Sequence, residues 1–96
     1  RNRLNTLSQA ALETIAIISY QQPITKSEIE EMRGVKCDSA INTLLDRGLI
    51  EEAGRKDTPG RPIIYQTTSE FLKYMGLKSL EELPEISNMS KAGEQD

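Results

Sequence analysis

The stretch from Thr25 to Thr67 limits what this chain can fold into more than any other. It opens Thr25-Lys-Ser-Glu-Ile-Glu-Glu-Met-Arg-Gly-Val and continues Cys37-Asp-Ser-Ala-Ile-Asn-Thr-Leu-Leu-Asp-Arg-Gly-Leu-Ile. It ends in Glu51-Glu-Ala-Gly-Arg-Lys-Asp-Thr-Pro-Gly-Arg-Pro-Ile-Ile-Tyr-Gln-Thr. Thr25 and Glu28 have capping-box spacing, in which the hydroxyl takes the N3 amide and the carboxylate reaches back to the cap. Ile29 and Met32 are expected to face inward, and Gly34 suits the left-handed residue that ends a helix. A second helix starts at Cys37 or Asp38, with Ala40, Ile41, Leu44 and Leu45 on one stripe and Gly48 closing it. Thr58-Pro-Gly-Arg then suits a type II turn, with Pro fixing φ and Gly taking the positive φ. That turn pairs Ile50–Gly54 with Ile63–Thr67. Helix, tight turn, helix and hairpin in this order predict a winged helix, an α+β fold that is mainly α.

Size permits one domain with a modest core: the chain has 96 residues, of which 36% are hydrophobic and 4% aromatic. Aliphatic side chains must therefore do most of the packing. Ser8 is placed to cap a first helix running to about Tyr20, which stops before Gln22-Pro23 because Pro disfavours helix at the preceding residue. Leu7, Ala11, Ile15 and Ile18 form one stripe; Ala10 and Ile17 lie on a different face, with Tyr20 adjacent. A helix apolar on more than one side fits a central element covered by two others. The alternative is that Ile17 and Tyr20 meet a partner chain. Pro23-Ile24 can supply a short third strand beside the wing. Thr67 or Thr68 is expected to cap a last helix over Glu70–Met75, with Phe71, Leu72 and Met75 inward. Ser79-Leu-Glu-Glu forms a second capping box. The predicted organisation is a linker over 1–6, the domain over 7–84 and a disordered tail over 85–96. The first residue is Arg rather than Met, as expected of an excised domain.

Several function classes are disfavoured by composition. The chain has no His, one Cys and no Gly-rich phosphate loop, so nucleophilic pairs, His-based metal sites and cofactor cradles have no residues to build them. No catalytic residue, cofactor or metal is assigned, and an enzyme is not expected. Cys37 lies near a helix N-terminus, which can activate a thiol, but without a partner it reads as a small turn residue. No apolar run is long enough to span a membrane.

Charge placement bears on DNA. The net charge is −3 and the sequence pI about 5.0. A groove-reading helix needs donors near its N-terminal half and basic neighbours on the phosphates. Here that half offers Ser39, Asn42 and Thr43, with Asp38 its one charge, and the preceding helix sets two cations against three carboxylates. Only the hairpin tip is basic, with Arg55, Lys56 and Arg61 against Asp57. Those cations can touch phosphate, or they can simply solvate a hairpin tip and protect its edge. The pattern favours a protein-interaction module.

Longer segments carry a resemblance. Leu7-Ser-Gln-Ala-Ala-Leu-Glu-Thr-Ile-Ala-Ile-Ile, Gln22-Pro-Ile-Thr, Arg33-Gly-Val, Leu44-Leu-Asp-Arg-Gly-Leu-Ile, Gly60-Arg-Pro-Ile-Ile-Tyr-Gln-Thr-Thr and Glu70-Phe-Leu-Lys-Tyr-Met-Gly-Leu resemble the segregation and condensation protein B family. The likeness covers about Leu7 to Pro84 and corresponds to the second of two tandem winged helices. Cys37 and Met75 depart from the expected pattern. The resemblance implies a cytoplasmic, nucleoid-associated subunit that works with an SMC ATPase and the kleisin ScpA in chromosome condensation and partition. It also implies a full-length homodimer formed largely through the first domain, which leaves a fragment like this one monomeric. Ile17, Tyr20 and Tyr74 are the candidate kleisin contacts. Arg55, Lys56 and Arg61 are the candidate DNA-backbone contacts of the alternative, an auxiliary sequence-independent DNA-binding module. A third reading is a purely structural winged helix that packs on its own first domain.

Overall fold

The computed structural model describes residues 7–76. The predicted linker over 1–6, the Ser79 capping box, the domain end at 84 and the tail over 85–96 lie outside them. Within them the order is α1 (Gln9–Gln21), β1 (Ile24–Thr25), α2 (Lys26–Arg33), α3 (Asp38–Asp46), β2 (Ile50–Arg55), β3 (Ile63–Thr67) and α4 (Ser69–Met75). The three strands form an antiparallel sheet in the order β1-β3-β2. The expected third strand therefore exists, with Ile24 opposite Tyr65 and Thr25 opposite Ile64.

Ser8 starts α1 by accepting the Ala11 amide at 3.1 Å. Its end is tied to the sheet: the Gln22 Oε1 accepts the Thr67 amide at 2.8 Å and the Thr67 hydroxyl at 3.1 Å. The stripe of Leu7, Ala11, Ile15 and Ile18 is buried as predicted, and Ile17 is buried with it at 4% exposure. The partner-contact reading of Ile17 is thereby corrected. Glu13 and Gln21, one turn to either side of Ile17, both meet α2: Arg33 Nη2 donates to Glu13 Oε1 at 3.2 Å, and Gln21 shares a notch with Met32. Spacing of i ± 4 puts Ile17 between those two contacts, under α2. The helix is central and covered on two faces. Its buried hydroxyls bond within the helix, Thr14 to the Ala10 carbonyl at 2.7 Å and Ser19 to the Ala16 carbonyl at 2.9 Å, so burial leaves neither unpaired.

Thr25 and Glu28 form the predicted capping box, with Glu28 N to Thr25 Oγ1 at 3.1 Å and Thr25 N to Glu28 Oε1 at 2.9 Å. Gly34 ends α2 at φ 79°, in the left-handed region. One expectation fails here: Ile29 is buried, but Met32 is 40% exposed. The inward position one turn after Ile29 belongs to Arg33, whose side chain is 11% exposed and reaches Glu13. Its stem covers apolar surface while its head pairs with α1.

In α3, Ala40, Ile41 and Leu44 are buried, and Leu45 packs half-buried against the core. The hairpin has the expected pairing, Ile50 opposite Thr67, and a bulge at Ala53 lets β2 run on to Arg55. Its turn closes with Arg61 N to Thr58 O at 2.8 Å, with Gly60 at φ 85°. Thr68 stands at the N-cap of α4 without capping it. Its hydroxyl instead donates to the Gly48 carbonyl at 2.6 Å and its amide to the Leu49 carbonyl at 3.1 Å, joining α4 to the end of α3. Phe71 is fully buried, Leu72 is half-buried, and the Met75 side chain is outside the described part.

Core and surface residues on α1 are separable by truncation. Ile17→Ala is expected to cost about 2–5 kcal/mol in urea unfolding. Tyr20→Ala, at a 38% exposed position, is expected to cost less than about 1 kcal/mol. Equal costs would place Ile17 outside the core.

Candidate functional site

Three surfaces can meet a partner: the outer face of α3, the wing tip, and the seam between α1 and α2. On α3, Ser39, Asn42 and Asp46 are exposed and Thr43 is half-buried. Asp38, at its N-terminus, is paired with Lys26 of α2 at 2.6 Å. That contact holds the Asp38 carboxyl below its ordinary range and raises the Lys26 amine, in both cases chiefly through the shared hydrogen bond. Lys26, the cation of α2 that meets the N-terminus of α3, is thus already matched by an anion. Between α3 and the wing lies a cleft of about 350 Å³ lined by Lys26, Ser27, Asp38, Ile41, Asn42, Pro62, Ile63 and Tyr65. Its one cation and one anion are this same pair.

The wing is exposed from Glu51 through Arg61, and the structure brings its three cations to one end of the hairpin. Each is engaged. Lys56 Nζ meets Glu28 Oε2 of α2 at 2.5 Å, Arg61 lies 3.9 Å from Asp57, and Arg55 Nη1 donates to the Arg61 carbonyl at 2.8 Å. Counting Glu28 with the tip leaves three cations against two carboxylates. The Glu28 carboxyl is held below its ordinary range, first by the Lys56 hydrogen bond and then by the Thr25 amide.

The predicted partner residues separate. Ile17 is buried, Tyr20 is exposed at the C-terminal end of α1, and Tyr74 falls in α4 with its side chain outside the described part. The large exposed apolar side chains among the described residues are Tyr20, Met32 and Val35. Sequence reasoning missed Met32 and Val35. The signal available was the i, i+4 pair Ile29–Arg33, which competes with Ile29–Met32 for the inward stripe and wins when a carboxylate on α1 lies opposite.

Cys37 is buried at 2% exposure at the N-cap of α3, without a side-chain cap bond. Its amide donates to the Glu30 carboxylate at 3.0 Å. Burial, reinforced by Glu30 and Asp38, pushes its thiol up to about 11, so it is protonated and unreactive at neutral pH. Among the described residues, no cluster of three or more His, Cys, Asp and Glu could hold a metal ion, and no helix is long and apolar enough to cross a membrane.

A helix-turn-helix whose hairpin packs beside it defines a winged-helix domain, here one in which both cations of α2 are paired with carboxylates of neighbouring helices. The chain belongs to the segregation and condensation protein B family: residues 1–86 match the model described as segregation and condensation complex subunit ScpB. It is 66% identical over 86 residues to segregation and condensation protein B of Carboxydothermus hydrogenoformans, covering 90% of this chain and 46% of that protein. Over 80 residues it is 68% identical to the Symbiobacterium thermophilum protein of that name, covering 83% of this chain and 36% of that protein. The crystal structure of ScpB from Mycobacterium tuberculosis superposes with a TM-score of 0.70 at 42% identity, over 75% of this chain and 44% of that one. Streptococcus pneumoniae FabT, solved in complex with DNA, superposes with a TM-score of 0.61 at 22% identity, over 97% of this chain and 75% of that one. This second likeness shows the fold alone. The chain spans less than half the length of each of the segregation and condensation proteins compared.

Glu28 ties three elements through one carboxylate, and its lowered pKa gives that tie a pH dependence. A lowered folded-state value means a stabilising contribution present in full above the ordinary 4.5 and lost as pH falls from there through the folded value. The stability deficit of Glu28→Gln relative to wild type is therefore expected to be widest near neutral pH and to narrow below about 4.5. Urea midpoints measured across the acid range check this; a deficit independent of pH would refute it.

Proposed function

We propose that this domain is a non-catalytic adaptor of an SMC–kleisin complex. It binds the kleisin ScpA and, through it, works with the SMC ATPase in chromosome condensation and segregation. The observation that carries the reading is the pairing of charge on the helix-turn-helix: Lys26 is matched by Asp38 and Arg33 by Glu13, so the two cations of α2 bring no net charge to the face that reads DNA in related folds. Family membership supplies the process, and the exposed apolar side chains of Tyr20, Met32 and Val35 supply a surface suited to protein. Tyr20 stays among the contact candidates, as does Tyr74. The setting is the cytoplasmic nucleoid. The full-length protein is a homodimer through its first domain, and this chain alone is a monomer.

The DNA alternative retains one favouring observation, the exposure of Arg55, Lys56 and Arg61 at one hairpin end. It predicts weak, sequence-independent and salt-sensitive retention of duplex DNA. The two readings are tested side by side by size-exclusion chromatography of this chain with the central segment of the kleisin and, separately, with duplex DNA at low salt. Co-elution with the kleisin segment and no retention of DNA is expected. Retention of DNA without kleisin co-elution would reverse the assignment.

A further inference from the structure

Ile29 and Cys37 are buried, at 0% and 2% exposure. Between them, residues 30–36 form the last turn of α2 and the turn into α3. Glu31, Met32, Gly34, Val35 and Lys36 are exposed, and the Glu30 carboxylate reaches forward to accept the Cys37 amide at 3.0 Å. The side chain that ties this stretch to α1 is that of Arg33, 11% exposed and bonded to Glu13.

The guanidinium is poorly satisfied in that place. Nη2 donates to Glu13 Oε1 at 3.2 Å. Nε and Nη1 are buried as well, and neither has an acceptor among the described residues. A buried donor without an acceptor forfeits the hydrogen bond it had with water. Glu13 is not dedicated to the pair: its other oxygen accepts Gln9 Nε2 at 3.2 Å, and its side chain is 35% exposed. Burial of the Arg33 stem favours the closed position, whereas the head opposes it. The other two pairs of α2 differ in kind. Lys26–Asp38 and Lys56–Glu28 are exposed on both partners, so their donors are already hydrated and opening them relieves nothing.

We propose that residues 30–36 are a strap that opens from α1 while the rest of the domain stays folded, with Ile29 and Cys37 as its fixed ends. The capping box and Ile29 hold the first half of α2, and Cys37 holds the start of α3. Opening breaks the Arg33–Glu13 bond, returns Nε and Nη1 to water and uncovers Ile17, which is 4% exposed when the strap is closed. It costs little apolar burial beyond that, because the other side chains of the strap already face solvent. Openings that expose little surface lie well below global unfolding in free energy. The strap holds whatever partner the domain binds.

Native-state hydrogen exchange on this chain tests it, read by NMR as amide protection factors at increasing urea. The amides of Met32, Arg33 and Gly34 are expected to be about a hundredfold or more less protected than those of Ile15 and Ile18, and insensitive to low urea. Arg33→Met keeps an apolar stem and removes the orphaned donors, and is expected to raise protection of the strap about tenfold. Glu13→Gln weakens the fastening and is expected to lower it about threefold, with Ile15 and Ile18 unchanged. Strap amides that match Ile15 and Ile18 in protection and urea dependence would overturn the proposal, because they would open only with the whole domain. Lower protection in Arg33→Met would overturn it by showing that the guanidinium is satisfied when closed. Unchanged protection in that variant would overturn it by reducing the strap to ordinary fraying of a helix end. If Arg33→Met does not fold, the urea dependence of the wild type and the response to Glu13→Gln decide: strap protection that Glu13→Gln leaves unaltered is then the overturning result.

Discussion

The reciprocal cap between Thr25 and Glu28 is the contact on which the geometry of this domain turns. Thr25 is 3% exposed and belongs to two elements at once: it pairs with Ile64 in the sheet, and its hydroxyl accepts the Glu28 amide in the first turn of α2. Glu28 completes the cap with one carboxylate oxygen and takes Lys56 of the wing with the other. Two side chains thus set the angle at which α2 leaves the sheet and anchor the hairpin to that helix. A two-residue strand is too short to hold a helix by backbone bonding alone, so the cap supplies much of the direction. Because α3 follows α2 after a short turn, with the Cys37 amide bonded to Glu30, the placement of the reading helix depends on this junction as well.

Much of this could be read from residues. Capping-box spacing, glycine at the end of α2 and the Pro-Gly turn each specify a local backbone geometry with few alternatives, and each appears as expected. The covered first helix was legible too, because a helix apolar on two sides has to find two neighbours. Which neighbour covers which face was not legible. Helical periodicity assigns Ile17 and Met32 to faces of their own helices, but it says nothing about the helix opposite. Ile17 is buried because α2 lies over it, and Met32 is exposed because Arg33 takes the inward place that pairing with Glu13 makes favourable. The Met32 misreading comes from one long-range contact spanning 20 residues of sequence.

Two local misreadings have local causes. The bulge at Ala53 was signalled by Gly54, since a glycine within a strand pattern marks an irregular position, and overlooking it ended β2 one residue early. Thr68 has the residue type and position of a helix cap, yet its hydroxyl turns to the Gly48 carbonyl. A cap needs the hydroxyl oxygen to accept an amide of α4, and the rotamer that donates the hydroxyl proton to the Gly48 carbonyl leaves that cap bond unmade. For the candidate site, the basic wing tip was legible as charge, but its engagement was not. Lys56 and Glu28 are 28 residues apart, and no spacing rule joins them.

The pairs that orient the elements also remove the charge a DNA reader needs. Lys26–Asp38 joins α2 to α3, Arg33–Glu13 joins α2 to α1, and Lys56–Glu28 joins the wing to α2. The first and last are substantially exposed, so each adds little stability by itself, and either can open. Opening does not free the cation for phosphate. The carboxylate stays within reach on its own helix, and an approaching phosphate meets a locally neutral site whether the pair is closed or not. Counterion release from DNA is driven by net cationic charge brought to the backbone, and a matched pair brings none. Cross-element pairs therefore fix the helices relative to one another and leave Lys26 and Arg33 without net charge to offer a phosphate.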